Sequence, residues 1–319
     1  VRIFFLLAAL PLLATFAPVS LQHREPPPPV TWVTYAPLPL SEDSPALRRL
    51  GRLIFLGGWE VRSNDARLGG ISALHVEDSE ALAMSDAGWR IRLPLPRGPG
   101  PMRARIAMTE QGPGPPGDKV NRDVESLVVW NGAAWLGFEQ SNAVWRYDGG
   151  TFAARSSAEP PAMERWSANA GPEAMVRLPD GRFLVFAEGK GGDSEALLFA
   201  GDPSVPGTSA LRLRYRPPEG YRITDAGLLP DGRLILLNRN VGLFAGFTAK
   251  LVAASLPPIG KDALIAGEEV AVFEGAVARD NLEALSVTRE GGRTILWLAS
   301  DDNYNPLQRT LLMKFALDE

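Results

Sequence analysis

Acidic side chains recur in this sequence at a nearly constant distance from short apolar runs. The offset is 14 residues from Ser72 to Asp86, Glu125 to Glu139 and Asp225 to Arg239, 15 from Glu173 to Glu188, and 18 from Glu283 to Asp301. Carboxylates gathered in this way at one end of a repeated unit form a set of hard oxygen donors. Crowded together, they raise one another's pKa unless a cation or an arginine neutralises them. Asp86, Glu125, Glu139, Glu173, Glu188, Asp225, Glu283, Asp301 and Asp302 are therefore candidate metal ligands, with Asn169, Asn281 and Asn303 as neutral oxygens beside them. Calcium suits such a donor set better than magnesium, because it accepts a roomier and more irregular oxygen shell. Arg239 stands where sister segments carry acids, and Arg122 immediately precedes Asp123 and Glu125. Either can anchor an anionic substrate or act as an internal counter-ion.

Other chemistries lack their parts. The chain has no cysteine, which removes disulfides, thiolate metal sites and Cys-based phosphatase chemistry together. Its two histidines are His23, in a proline-rich leader, and His75, on an alternating strand pattern. Gly192-Asp193-Ser194 is similar to the start of a GDSL-type esterase block, yet no histidine follows it to complete a triad. A net charge of −4 leaves no excess of basic groups for a phosphate backbone, so nucleic acid is not an expected partner.

The elements that must position the carboxylates are hairpins. Each unit is a short apolar strand, a polar or glycine turn, a second apolar strand and then a charged residue. The turns Asn131-Gly132, Pro179-Asp180-Gly181-Arg182, Pro230-Asp231-Gly232-Arg233 and Gly291-Gly292 supply the left-handed positions that tight reversals need. Second strands such as Phe183-Leu184-Val185-Phe186 and Ile295-Leu296-Trp297-Leu298 are apolar on both faces, which predicts burial between stacked sheets. Trp89, Trp130, Trp135, Trp145 and Trp297 are expected to fill the space between them.

From Asp86 through Glu139, Glu188 and Arg239 to Asp301 the units are spaced by 53, 49, 51 and 62 residues, the size of a propeller blade. A sandwich rarely repeats a motif at such a period. The expectation is an all-β propeller. Five clear units, with a divergent one from Leu47 to Leu56 that can pair with Leu311 to Leu317, give about six blades; five or seven also fit.

Ahead of this domain, residues 3–21 carry no charge and follow Arg2, a secretory pattern. Residues 1–22 are expected to be a signal peptide or an N-terminal anchor, 23–46 a proline-rich linker and 47–319 the propeller. The expected location is the periplasm or outside the cell, with no membrane contact beyond that anchor. Pro94 to Gly117, bracketing a strand at Arg103 to Met108, and Gly149 to Asn169 are expected to be long loops, and Ser44 to Arg49 a short helix.

These residues jointly resemble the "esterase-like activity of phytase" family, also called phytase-like. The resemblance spans about Gly51 to Leu317. It rests on Gly69-Gly70-Ile71-Ser72-Ala73-Leu74, Ser85-Asp86-Ala87-Gly88, Asp123-Val124-Glu125, Asn169-Ala170-Gly171-Pro172-Glu173-Ala174, Leu229-Pro230-Asp231-Gly232-Arg233, Asn238-Arg239, Asp280-Asn281-Leu282-Glu283 and Ser300-Asp301-Asp302-Asn303. The family often has glycine after the strand-initial Ser or Glu, whereas this chain has Ala73, Ala174 and Ala284, which are still small. The resemblance implies an exported propeller acting on a small-molecule ester or phosphoester. No Arg-His-Gly motif is present, so metal-assisted attack by water is the remaining route, with Glu125, Glu139, Glu173 or Glu188 as ligand or general base. Two other readings stay open: a non-catalytic propeller with structural calcium that binds a ligand or protein in the envelope, and a lactonase-like hydrolase with one central calcium.

Overall fold

A computed structural model describes residues 27–189, 191–260 and 262–318. The expected signal or anchor at 1–22 lies outside these residues, as does His23.

Local turn chemistry forms the hairpins as read. Asn131 and Gly132 both take positive φ, 46° and 70°, the type I′ pattern whose twist matches that of paired strands. The two Pro-Asp-Gly-Arg turns are built alike. Asp180 accepts the Arg182 backbone N–H at 3.1 Å and Asp231 that of Arg233 at 2.9 Å, while Gly181 and Gly232 take φ of 91° and 87°.

Five inner strands, Ile71–Glu77, Val124–Trp130, Pro172–Arg177, Arg222–Leu228 and Asn281–Glu290, pack side by side in a closed ring. Each begins an antiparallel sheet that continues outward through strands two, three and four. The result is a five-bladed propeller. Blades one to five are named here in the order of these inner strands. Aliphatic and aromatic side chains fill the five spaces between neighbours; between blades two and three, for example, Trp135 and Val144 meet Met175, Phe183 and Val185.

The count falls at the low end of the expected range because Leu47 to Leu56 is not a sixth unit. Leu53–Ser63 is the outer strand of blade five, where Leu53 pairs with Leu317 and Phe55 with Phe315. The pairing with the C-terminal strand holds, and it closes the ring by joining chain segments far apart in sequence.

Three local expectations are corrected. Thr31–Pro37, placed in the linker, is a strand paired on one side with Leu53–Ser63 and on the other with Met102–Met108, so it joins blades five and one. Ala154–Ala158, placed in a long loop, is the outer strand of blade two. Outer strands bury one side only, and its alternation of Ala, Arg and Ser is too weak to be read as apolar periodicity. Ser44 to Arg49 forms turns and the start of a two-residue strand, Arg49–Leu50. Among the described residues helix is limited to a 3-10 turn at Pro161–Met163, and no helix is long and apolar enough to cross a membrane. Of the tryptophans, Trp135 and Trp297 are buried as expected, while Trp130 is 54% exposed with Arg177 over its ring.

Candidate metal centre and active site

Every inner strand carries a β-bulge near its start, marked by a register shift that skips Ser72, Glu125, Glu173, Thr224 and Glu283 in turn. A bulge re-aims a side chain and ends regular pairing. Here it recurs at the same end of all five blades. The second strands return to that end at Asp86, Glu139, Glu188, Arg239 and Asp301. Carboxylates from both positions therefore gather around the axis.

Within this gathering, carboxylate oxygens of Asp123, Glu125 and Glu139, all from blade two, lie within 4.8 Å of one another. Asp123 was not among the expected ligands. It directly precedes the inner strand, and the Glu139 N–H donates to its backbone carbonyl at 2.9 Å. The equivalent positions in the other blades are Gly70, Gly171, Arg222 and Asn281, so no repeat flagged an acid there.

Two glycines make the approach possible. A Cβ on Gly171 would meet the Glu139 Cα and carbonyl oxygen at 2.5 Å, so only glycine lets blade three pass this close to the Glu139 backbone. A Cβ on Gly70, which has φ of 61°, would meet Asp86 Oδ1 at 2.3 Å.

The electrostatics follow from burial. Withdrawal from water pushes Glu125 and Glu173 well above the usual carboxylate range, and neighbouring acids add to the effect. Burial raises Asp123 too, and raises Glu139 to about 8, with Asp123 next in importance. Asp301 is driven well upward by burial and then by Glu283, Asp86 and Asp302. Asp86 reaches about 7, because burial outweighs the pull of Lys119, whose ammonium lies 2.6 Å from Asp86 Oδ2. The other Asp86 oxygen is buried and accepts no hydrogen bond from the described residues. Without a cation, so many carboxyls in one place cannot all ionise.

The basic groups nearby are largely engaged by other members of the ring. Arg239 bonds Glu283, donates to Asn281 Oδ1 at 2.7 Å, and has a second nitrogen 3.6 Å from Glu188. Burial works against its charge, but Glu283, Glu188 and Glu173 outweigh burial and hold its pKa above the ordinary value. Arg239 is thus the internal counter-ion of the ring. Arg222, which sequence reasoning passed over, donates to Glu188 at 3.2 Å.

Three expected site residues lie outside this centre. Arg122 is 1% exposed and donates to the carbonyls of Thr109, Glu110 and Gly114, so it braces the loop between blades one and two. Asp225 is one residue out of register with the bulges. Its oxygens accept the backbone N–H groups of Ala226 and Leu285, both at 2.7 Å, which ties blade four to blade five. Asp302 accepts the N–H groups of Gly70 and Tyr304 and the Thr310 hydroxyl, a structural cap. Of the neutral oxygens, Asn281 contacts Glu283 and Arg239, Asn169 contacts Gln140, and Asn303 is bonded to Gln308.

The donor set fits a hard cation. Two oxygens bound to one calcium can be separated by up to about twice its roughly 2.3–2.6 Å bond length, so oxygens all within 4.8 Å of one another can share one ion. Asp123, Glu125 and Glu139 would hold the ion. Glu173 and Asp86 stand beside them.

The "esterase-like activity of phytase" family model matches residues 66–304. No curated protein matches the chain. Among solved structures, glutaminyl cyclase of Myxococcus xanthus is similar at 10% identity and a TM-score of 0.44, covering 85% of this chain and 100% of that one. The major allergen Mala s 1 of Malassezia sympodialis is similar at 11% identity and a TM-score of 0.45, covering 77% of this chain and 92% of that one. With its match running from before the first inner strand to beyond Asp301, the chain belongs to the phytase-like family.

Proposed function

We propose that this protein is an exported hydrolase of ester or phosphoester bonds, working with a bound divalent cation, calcium first among them, at the acidic end of the propeller axis. The observation that carries the reading is the convergence of Asp123, Glu125 and Glu139 within 4.8 Å. Asp86, whose Oδ2 pairs with Lys119 while its buried Oδ1 has no hydrogen-bond partner among the described residues, offers a further oxygen donor.

The alternatives to a water nucleophile lack parts. His75 lines a cleft with Glu77, Asp78 and Trp130, beyond the turns at the opposite end of blades one and two. Asp193, beside Ser194, is paired with Arg214 and Arg216. A bound cation would polarise the ester or phosphate oxygen and acidify the attacking water. Burial and neighbouring acids raise the Glu173 carboxyl; with a cation bound nearby to favour its ionised form, Glu173, 7% exposed, would accept the proton of that water. Arg239 pairs with Glu283 and Glu188 and holds both side chains in place.

The test is hydrolysis of 4-nitrophenyl esters, phytate and lactones by purified protein, with chelator and with calcium restored, alongside calorimetric calcium binding. Activity is expected to vanish with chelator and return with calcium. Glu125→Gln is expected to abolish both activity and tight calcium binding, whereas Glu268→Gln on the outer strand of blade four leaves both in place. Absence of calcium binding at millimolar concentration, together with a melting curve indifferent to chelator, would refute the cation. Calcium binding without turnover of any substrate would favour the ligand-binding propeller instead.

A further inference from the structure

Beside the carboxylate ring, a cavity of about 250 Å3 is lined by Glu188, Gly220, Arg222, Arg239, Asn240 and Val241. Sites for drug-sized ligands run from roughly 300 to 1,000 Å3, so this cavity suits one charged group of a larger molecule. Two guanidinium groups share one carboxylate there. Arg222 donates to Glu188 Oε2 at 3.2 Å, and Arg239 approaches Glu188 Oε1 at 3.6 Å. The lining side chains alone carry one more positive than negative charge, and Glu283, bonded to Arg239 from outside the cavity, offsets the Arg239 share and leaves Arg222 as the group open to an anion.

The two arginines differ in how far they are spent. Arg239 is also bonded to Glu283 and Asn281, and its side chain is 22% exposed. Among the described residues the Arg222 side chain is bonded to Glu188 alone, and it is 48% exposed. A guanidinium carries five N–H donors in a planar fork that matches the oxygens of phosphate or carboxylate. Most of the Arg222 fork is unused and open to the cavity. Asn240 lines the same cavity, its amide nitrogen 3.8 Å from where a Cβ on Gly220 would be.

We infer that Arg222, supported by Arg239 and Asn240, binds an anionic group of the substrate other than the bond that is cut. The inference rests on the hydrolase reading for its link to turnover, though not for binding itself. It makes the preferred substrate an ester with a negative charge apart from the scissile bond, held in blade four while that bond meets the carboxylates of blade two. Arg222 is then a specificity residue. It occupies the position where the other blades have Gly70, Asp123, Gly171 and Asn281, so blade four alone offers a cation there.

The experiment has two arms. In the first, inorganic phosphate is titrated calorimetrically into metal-free protein, native and Arg222→Gln, each shown to be folded by its melting curve. A lost charge-assisted contact corresponds to a weakening of about 10- to 100-fold. Arg222→Lys keeps the charge without the fork and is expected to fall between. In the second arm, 4-nitrophenyl hydrogen succinate is compared with 4-nitrophenyl butyrate, esters of equal acyl length that differ in one terminal charge. Arg222→Gln is expected to raise KM for the succinate ester about tenfold more than for the butyrate ester, with kcat held. Phosphate affinities within twofold of each other in native protein and Arg222→Gln, or KM raised equally for both esters, would overturn the inference. If neither ester is turned over, the phosphate arm still decides the anion site, and only the hydrolase reading falls.

Discussion

Replacing Glu139 by glutamine separates a repulsive carboxylate cluster from an ordinary solvated rim. In the metal-free fold the Glu139 carboxyl is raised from an ordinary value of 4.5 to about 8, first by burial and then by Asp123. A carboxyl whose folded pKa is raised binds its proton more tightly in the native state. Its contribution to stability is fully present below pH 4.5 and is lost as pH rises through about 8. At pH 7 the group lies about 2.5 pH units above its unfolded value, and each unit corresponds to about 1.4 kcal/mol. That sets an upper bound of about 3 kcal/mol, which partial exposure of Glu139 to water reduces to about 1–2 kcal/mol. Glutamine keeps the shape and the oxygen that Gln140 bonds at 3.3 Å, and its amide N–H can donate to Asp123 as the protonated Glu139 carboxyl does. Metal-free Glu139→Gln is therefore expected to melt higher than the native protein at pH 7, by roughly 2–8 °C, and at the same temperature at pH 4.5. Saturating calcium should reverse the order, since a cation at a hundred times its dissociation constant adds about 2.7 kcal/mol to whichever protein binds it. Thermal melts at several pH values, with chelator and with calcium, read all three outcomes. A metal-free variant less stable than the native protein at pH 7, or one gaining as much from calcium, would refute the reasoning.

Asp225→Ala removes the acceptor for two buried backbone N–H groups and is expected to cost about 2–4 kcal/mol in denaturant unfolding, with calcium affinity unchanged because Asp225 ties blades four and five outside the cluster. Gly171→Ala drives a methyl against the Glu139 backbone, so calorimetry is expected to show both lower stability and weaker calcium binding, whereas Gly232→Ala, with open space around its Cβ, is expected to lose stability through its φ of 87° alone.

Much of the site was legible because its causes are local. The turns after Leu178 and Leu229 are fixed by Asp-Gly-Arg chemistry within four residues. Once each hairpin's length is set, Asp86, Glu139, Glu188, Arg239 and Asp301 must return to the end from which their hairpins started. The family resemblance read from the same residues agrees with the match over 66–304. Where local causes ended, the reading slipped. Offset counting aligned Asp225 with Glu125 and Glu173, but the bulge of blade four falls at Thr224, whose hydroxyl faces the Leu282 carbonyl of the next blade at 3.4 Å. A one-residue shift turns a side chain to the other face of a strand, and Asp225 accordingly serves the blade interface.

The sequence by itself determined the hairpins, their turns, the propeller class and the carboxylates at one end of each unit, since residue type and short spacing control these. Only the tertiary structure decided that five blades close the ring, because closure depends on Leu53–Ser63 pairing with Leu311–Leu317 across nearly the whole chain. It likewise decided that Asp123 joins Glu125 and Glu139, and that Arg122 turns away into a loop. Asp123, Glu125 and Glu139 belong to one hairpin, and it is the bulge at Glu125, a feature of backbone geometry that no spacing along the chain encodes, that brings their carboxylates together.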